Sequence, residues 1–217
     1  MNGLVRSALV EGRGPELLAS LAARPAELIS AALADPEPVA ARSYRHALGF
    51  DKIILVSAWP LGALRLHVWW PGQQRAREHV HDHRFTFSSV VLTGRLRTSL
   101  YQLAEDGEPT ELYRETSDMA DRRWRFEHAG PRRLARVLVA DQPAGTAYTM
   151  SPPLLHRIEA SPLLTATLFL ETESTRNWSS VCVDPGAEPP APADQTAFTP
   201  ADLTDRLHRL RSTFEPA

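Results

Sequence analysis

From Lys52 to Val183 the chain is a succession of short segments that alternate with a period of two. They read KIILVSAW, ALRLHVWW, FTFSSVVL, RLRTSLYQ, ELYRE, RWRFEHA, RLARVLVA, TAYTM, LTATLFLE and WSSVCV. Each is rich in β-branched or aromatic residues, which suit a pleated, half-buried surface. Turn signals such as PG, TG, EDGEP and QPAG separate them. About ten strands with no helix between them predict an all-β fold, an antiparallel sandwich or barrel.

The flanks have a different period. In GPELLASLAARPAELISAALADPEP the apolar residues Leu17, Leu18, Leu21, Leu28, Ile29, Ala32 and Leu33 recur at helical spacing. Pro25 is expected to divide this stretch into two short helices, and Pro36 to close it. SYRHALGF reads as a turn or short helix. DPGAEPPAPADQTAFTP is a proline-rich connector, and TPADLTDRLHRLRSTF has a threonine cap and a first-turn proline, so it predicts a terminal helix. A length of 217 residues suits one domain. The expected division is a helical segment over 1–50 packed on a barrel over 51–184, with the connector and helix over 185–217.

Twenty-four basic residues against 26 acidic ones give a net charge of −2. That balance gives no reason to expect nucleic acid or an anionic membrane as partner. Cys182 is the single cysteine, so an internal disulfide is excluded and a small buried hydrophobe is the expectation. No apolar run is long enough for a secretion signal or a membrane span, which predicts a cytoplasmic protein, as monomer or homodimer.

The chemistry is concentrated in REHVHDHRFTFSSVVLTGRLRTSLY, residues 77–101. On a strand, residues two apart share a face. The odd face holds His79, His81, His83, Phe85, Phe87, Ser89 and Val91, so it should point into the barrel with the histidines at one end. Asp82 should point the other way and is a poor ligand. Same-face Cα atoms lie about 6.7 Å apart, so His79 and His83 would stand roughly 13 Å apart, too far for one ion on a regular strand. One adjacent pair can share a metal. The third ligand must come from elsewhere, and His156 in YTMSPPLLHRIEA is the candidate.

These motifs resemble the cupin superfamily. Its first motif is His-x-His, three or four residues, Glu, six residues, Gly. Here His81-x-His83, three residues, Phe87, six residues and Gly94 fit that spacing, which favours His81 and His83. Pro71–Gly72 precedes the motif three residues farther away than usual, which keeps His79 as the alternative. Phe87 fills the slot of the usual glutamate ligand. The loss is similar to the cysteine-dioxygenase-like cupins, whose iron has three histidines and no carboxylate. Tyr148…Leu155-His156-Arg157-Ile158-Glu159 resembles their second motif. SYRHALGFDKIILVSAW resembles the segment carrying their substrate-carboxylate arginine, which would fall on Arg45. The similarity covers residues 42–172.

The resemblance implies a double-stranded β-helix with a metal on His81, His83 and His156. Where the thiol dioxygenases carry Ser-x-His-x-Tyr, this chain has Thr167-Leu168-Phe169-Leu170-Glu171. Phenylalanine replaces the histidine and glutamate the tyrosine. The expected cofactor is Fe(II), with O2 and a small anionic chelating substrate other than cysteine. Imidazole ligands suit zinc, copper, iron and nickel alike, and the family tips the choice to iron. Glu171 and Tyr148 are the catalytic candidates. Arg45, Arg95, Phe87 and Phe169 are the substrate-binding ones. A metal-dependent lyase or isomerase using the same site as a Lewis acid, and a small-molecule-binding module, are the alternatives.

Overall fold

Two antiparallel sheets face each other, and the chain crosses between them repeatedly. The computed structural model describes residues 1–118, 123–188 and 195–215. The side chain of Trp124 and residues 189–194 of the expected connector lie outside the described residues. The strands are β1 Tyr44–Arg45, β2 Asp51–Ser57, β3 Gly62–Trp69, β4 Val80–His81, β5 Phe85–Thr93, β6 Arg95–Asp118, β7 Arg123–Pro143, β8 Ala147–Met150, β9 Leu155–Ala160, β10 Thr165–Ser174 and β11 Trp178–Val183. One sheet has the order β1-β2-β3-β10-β5-β8 and the other β11-β4-β9-β6-β7. From β7 to β11 each strand lies in the opposite sheet from the one before it. That alternation makes the fold an all-β double-stranded β-helix, a jelly roll.

The first sheet is buried on both faces. Leu64 and Leu66 of β3 and Leu168 and Leu170 of β10 are at most 1% exposed, and they point away from the second sheet toward helices. The helices α1 Asn2–Val10, α2 Gly14–Ala22, α3 Pro25–Leu33 and α4 Pro36–Ala40 precede the strands, and α5 Pro200–Arg211 follows them. Leu18, Ile29, Leu203 and Leu207 join those sheet leucines in one core cluster. Each fully buried side chain contributes about 1.5–3 kcal/mol. As expected, Pro25 separates two helices. Pro36 does not close the helical region; like Pro25 it stands at a helix start, where its missing N–H is not needed and its fixed φ suits the first turn. The SYRHALGF stretch is neither simple turn nor helix, for it holds β1.

The terminal helix forms as its caps predict. Thr199 accepts from the Asp202 backbone N–H, and Asp202 reciprocates, a capping box. Arg206 of α5 pairs with Asp51 at 3.1 Å and Arg209 lies over Trp70, so the helix is tied to the barrel wall.

The second sheet departs most from the sequence reading. EDGEP does not end a strand. RLRTSLYQ and ELYRE are one strand, β6, and RWRFEHA and RLARVLVA are one strand, β7. Leu134 of β7 pairs with both Leu103 and Glu108, so the intervening residues form a bulge rather than a turn. Gly107 allows it, since a Cβ there would stand 2.4 Å from the Leu134 backbone. The length of β6 serves two partners. Leu96–Tyr101 pair with β9, and Glu111–Thr116 pair with β11. Two-residue β4 bridges those partners, with His81 opposite His156 on β9 and Val181 on β11.

Candidate metal centre

The histidine motif straddles the end of a strand. His81 closes β4, and Asp82, His83 and Arg84 form an irregular link before β5. That break brings His83 back beside His81. The ring centroids of His81 and His83 lie 4.9 Å apart, those of His81 and His156 4.6 Å, and those of His83 and His156 5.0 Å. Their donor nitrogens all lie within 4.8 Å of one another. His79 is outside this group.

Two of the rings are oriented by backbone. His81 Nδ1 donates to the His79 carbonyl at 3.1 Å, and His156 Nδ1 donates to the Leu154 carbonyl at 2.9 Å. A carbonyl can only accept, so Nδ1 carries the hydrogen and Nε2 is left with its lone pair. This is the arrangement that a ligating histidine needs. Burial holds His83 well below the ordinary imidazole pKa and His156 at about 3, with neighbouring histidines adding to the effect. Both are therefore neutral ligands at physiological pH. The donor set fits a divalent imidazole-binding ion.

A polar clamp fixes the link that carries His83. Asp82 is buried, as a residue on the opposite face to the ligands, but it is not solvent-facing. Its carboxylate accepts from the Ser180 N–H at 2.7 Å and pairs with Arg176. Arg176 in turn donates to the His83 carbonyl at 2.8 Å and to the Pro152 carbonyl at 3.0 Å. One guanidinium thus joins the link that bears His83 to the turn that leads into β9 and His156.

The odd-numbered residues of β5 continue inward from the cluster. Phe87 meets the His83 ring edge-on at 5.0 Å and stacks on Phe169 at 4.4 Å. Tyr148, opposite Ser89 on β8, sits edge-on to Phe87 at 6.1 Å. Burial pushes the Tyr148 phenol up to about 12, so it is a neutral hydroxyl. Glu171 also faces this side. Arg65 Nη1 donates to Glu171 Oε2 at 2.5 Å, and the Arg65 guanidinium lies 4.1 Å over the Phe169 ring. Glu171, a catalytic candidate in the sequence, is held in an ion pair with an arginine of the neighbouring strand.

Arg45 and Arg95 lie elsewhere. Arg45 pairs with buried Asp51 at 3.0 Å, and that carboxylate also accepts from Trp70 Nε1 at 2.5 Å. Arg95 is exposed at the far end of β6, five residues (about 16 Å) from Leu100, the partner of His156. Gly94 just before it makes the turn from β5, with φ +77° and Leu164 and Thr165 too close for any Cβ. Cys182 is buried as expected, and burial drives its thiol up to about 12.

Three residues at or near the site escaped the sequence reading. Arg65 and His67 alternate in ALRLHVW. Their signal was two polar side chains sharing one face of a strand whose other face is leucine and valine. His67 is partly buried against Phe169 and Phe50, and desolvation of its ring holds its pKa well below the ordinary imidazole value. Glu78, just ahead of the motif, puts Oε1 4.0 Å from His81 Nε2. Its other oxygen accepts from the Ile158 N–H at 2.6 Å. Burial raises its pKa, which His81, that hydrogen bond and Arg157 partly offset.

No protein-family model and no curated protein matches the chain. Solved structures do. A hydroquinone 1,2-dioxygenase in complex with Cd2+ and 4-hydroxybenzonitrile is similar over 56% of this chain and 63% of its own, at 11% identity and a TM-score of 0.35. A variant oxalate decarboxylase from Bacillus subtilis is similar over 63% of this chain and 29% of its own, at 13% identity and a TM-score of 0.38. A conserved protein with a double-stranded β-helix domain from Klebsiella pneumoniae is similar over 65% of this chain and 93% of its own, at 11% identity and a TM-score of 0.37. The likeness is one of fold. The chain spans less than two thirds of the dioxygenase and of the decarboxylase.

Proposed function

We propose that this protein is a mononuclear non-haem Fe(II)-dependent oxygenase acting with O2 on a small, anionic, metal-chelating substrate other than cysteine. The observation that carries the reading is the convergence of His81, His83 and His156 near the largely buried Arg65–Glu171 pair. Iron bound there would supply a Lewis acid and a one-electron redox centre. Three neutral ligands leave its charge uncompensated by His81, His83 and His156, which favours an anionic chelator.

The chain's own residues then select what binds. Phe85, Phe87 and Phe169 form an apolar wall that excludes water from one side of the histidines. Arg65 offers a cation to an anionic substrate group, and Glu171 accepts a hydrogen bond from a cationic or donor group. Tyr148 supplies a neutral phenolic O–H. Phe169 can neither donate nor accept a proton, and a carboxylate at Glu171 repels a bound anion unless it stays paired with Arg65. Cysteine is thus a poor substrate.

The test is metal-resolved turnover. Protein stripped of metal is reloaded separately with Fe(II), Zn(II), Ni(II) and Mn(II), and oxygen uptake is followed with a panel of small carboxylates and thiols. Uptake with iron and not with zinc is expected. Equal turnover with zinc would overturn the oxygenase reading in favour of a lyase or isomerase. Conversion of cysteine to its sulfinic acid at about 1 per second or faster would overturn the substrate assignment.

A further inference from the structure

We propose that Glu78 is the fourth protein ligand of this metal centre, its Oε1 joining the donor nitrogens of His81, His83 and His156. The inference rests on the three-histidine reading above and adds to it a carboxylate that the motif lacks.

Placement is the first support. The β4–β9 ladder consists of the single pair His81↔His156. Beyond it, the Ile158 N–H has no strand residue of β4 to meet and donates instead to Glu78 Oε2 at 2.6 Å. That bond fixes the carboxylate between the two ligand strands and leaves Oε1 toward His81. Oε1 stands 4.0 Å from His81 Nε2, at the edge of the three-histidine group. Donors sharing one ion with bonds of about 2.1 Å stand roughly 3 Å apart, so an ion would have to draw Oε1 about 1 Å closer to His81.

Charge is the second support. Among the described residues the remaining ion-paired acids face an arginine, with one exposed exception that faces His128, whereas the one ion-pair neighbour of Glu78 is His81. Its side chain is only 16% exposed. A carboxylate removed from water without a permanent cation is costly. A divalent ion held by three neutral rings supplies that cation. The ligand carboxylate is thereby relocated in the sequence. Phe87 has taken the usual position after the histidines, and Glu78 reaches the same centre from three residues before the first of them. Four ligands of this kind reduce the net charge of the site from +2 to +1, which still favours an anionic substrate but binds it less tightly than a bare three-histidine centre would.

Glu78→Gln separates a ligand from a backbone latch. Its amide oxygen still accepts from the Ile158 N–H, while the charged donor is lost. Cobalt(II) affinity of purified protein is measured by competition with a chromophoric chelator, together with the visible absorption of the cobalt-loaded form. The expected result is affinity lowered by about tenfold or more and shifted cobalt bands. Wild-type affinity with wild-type bands would overturn the proposal and leave Glu78 a latch. His83→Ala is run in parallel. Should it retain wild-type affinity, the three-histidine centre itself fails; should it lose affinity while Glu78→Gln does not, only the present inference fails. If Glu78→Gln is recovered unfolded, Glu78→Asp, with its shortened arm, is read by the same two measurements and the same outcomes.

Discussion

His81 and His156 are direct partners across β4 and β9, and each anchors its ring in the same way, Nδ1 donating to the carbonyl two residues earlier. The shared local bond engages Nδ1 in both rings and leaves Nε2 free, and the shared register sets the two rings side by side within the donor cluster. Position, not residue type, separates these two from the chain's other histidines.

Metal binding should follow that geometry residue by residue. Replacing His81, His83 or His156 by alanine is expected to remove most of the bound metal, as measured by elemental analysis of purified protein. His79→Ala should retain it, because His79 serves His81 through its backbone carbonyl, which alanine keeps. Loss of metal in His79→Ala with retention in His83→Ala would move the ligand set by two residues.

The Arg176 clamp should matter although it touches no metal. Arg176→Ala frees the His83 and Pro152 carbonyls and leaves buried Asp82 without its cation. Metal affinity is expected to fall by about tenfold, with the histidines intact. Unchanged affinity would show that the link holds His83 unaided.

Acid should destabilise the metal-free protein before its carboxylates titrate. In the unfolded chain His83 and His156 take up protons below about pH 6.5, but burial holds folded His156 at about 3 and His83 well below its ordinary value. Between pH 6.5 and 4 the unfolded state therefore binds more protons, and stability falls as pH falls. The loss is about 1.4 kcal/mol per pH unit for each such group. Urea midpoints at pH 7 and pH 5 check it, and His156→Gln should flatten the dependence by about one proton. An equal slope in the variant would contradict the assignment.

Asp51 joins three elements. It is fully buried and meets Trp70 Nε1, Arg45 and Arg206. Asp51→Ala leaves the indole N–H without that acceptor and two cations without their anion. Both arginines are partly exposed and can turn to water, which limits the cost to about 2–3 kcal/mol. The melting temperature should fall by roughly 4–12 °C. A fall of less than about 2 °C would show that α5 is held by Leu203, Leu207 and Leu210 alone.

The sequence by itself determined what local rules govern. Period-two alternation gave the strands, because every second side chain shares a face. Thr199 and Pro200 gave the start of α5, because a cap and a preset φ act within one turn. His-x-His and His156 gave the metal candidates through residue type and spacing. Only the tertiary structure decided which strands merge, which polar residues turn inward, and which acid reaches the histidines. EDGEP has the composition of a turn, yet β7 pairs on both sides of it and makes it a bulge. Arg65 faces the metal side because β10 places Phe169 and Glu171 next to it. Glu78 meets His81 because β4 ends after two residues and Ile158 needs an acceptor. Each depends on register between strands distant in sequence, where a shift of one residue turns every side chain to the other face.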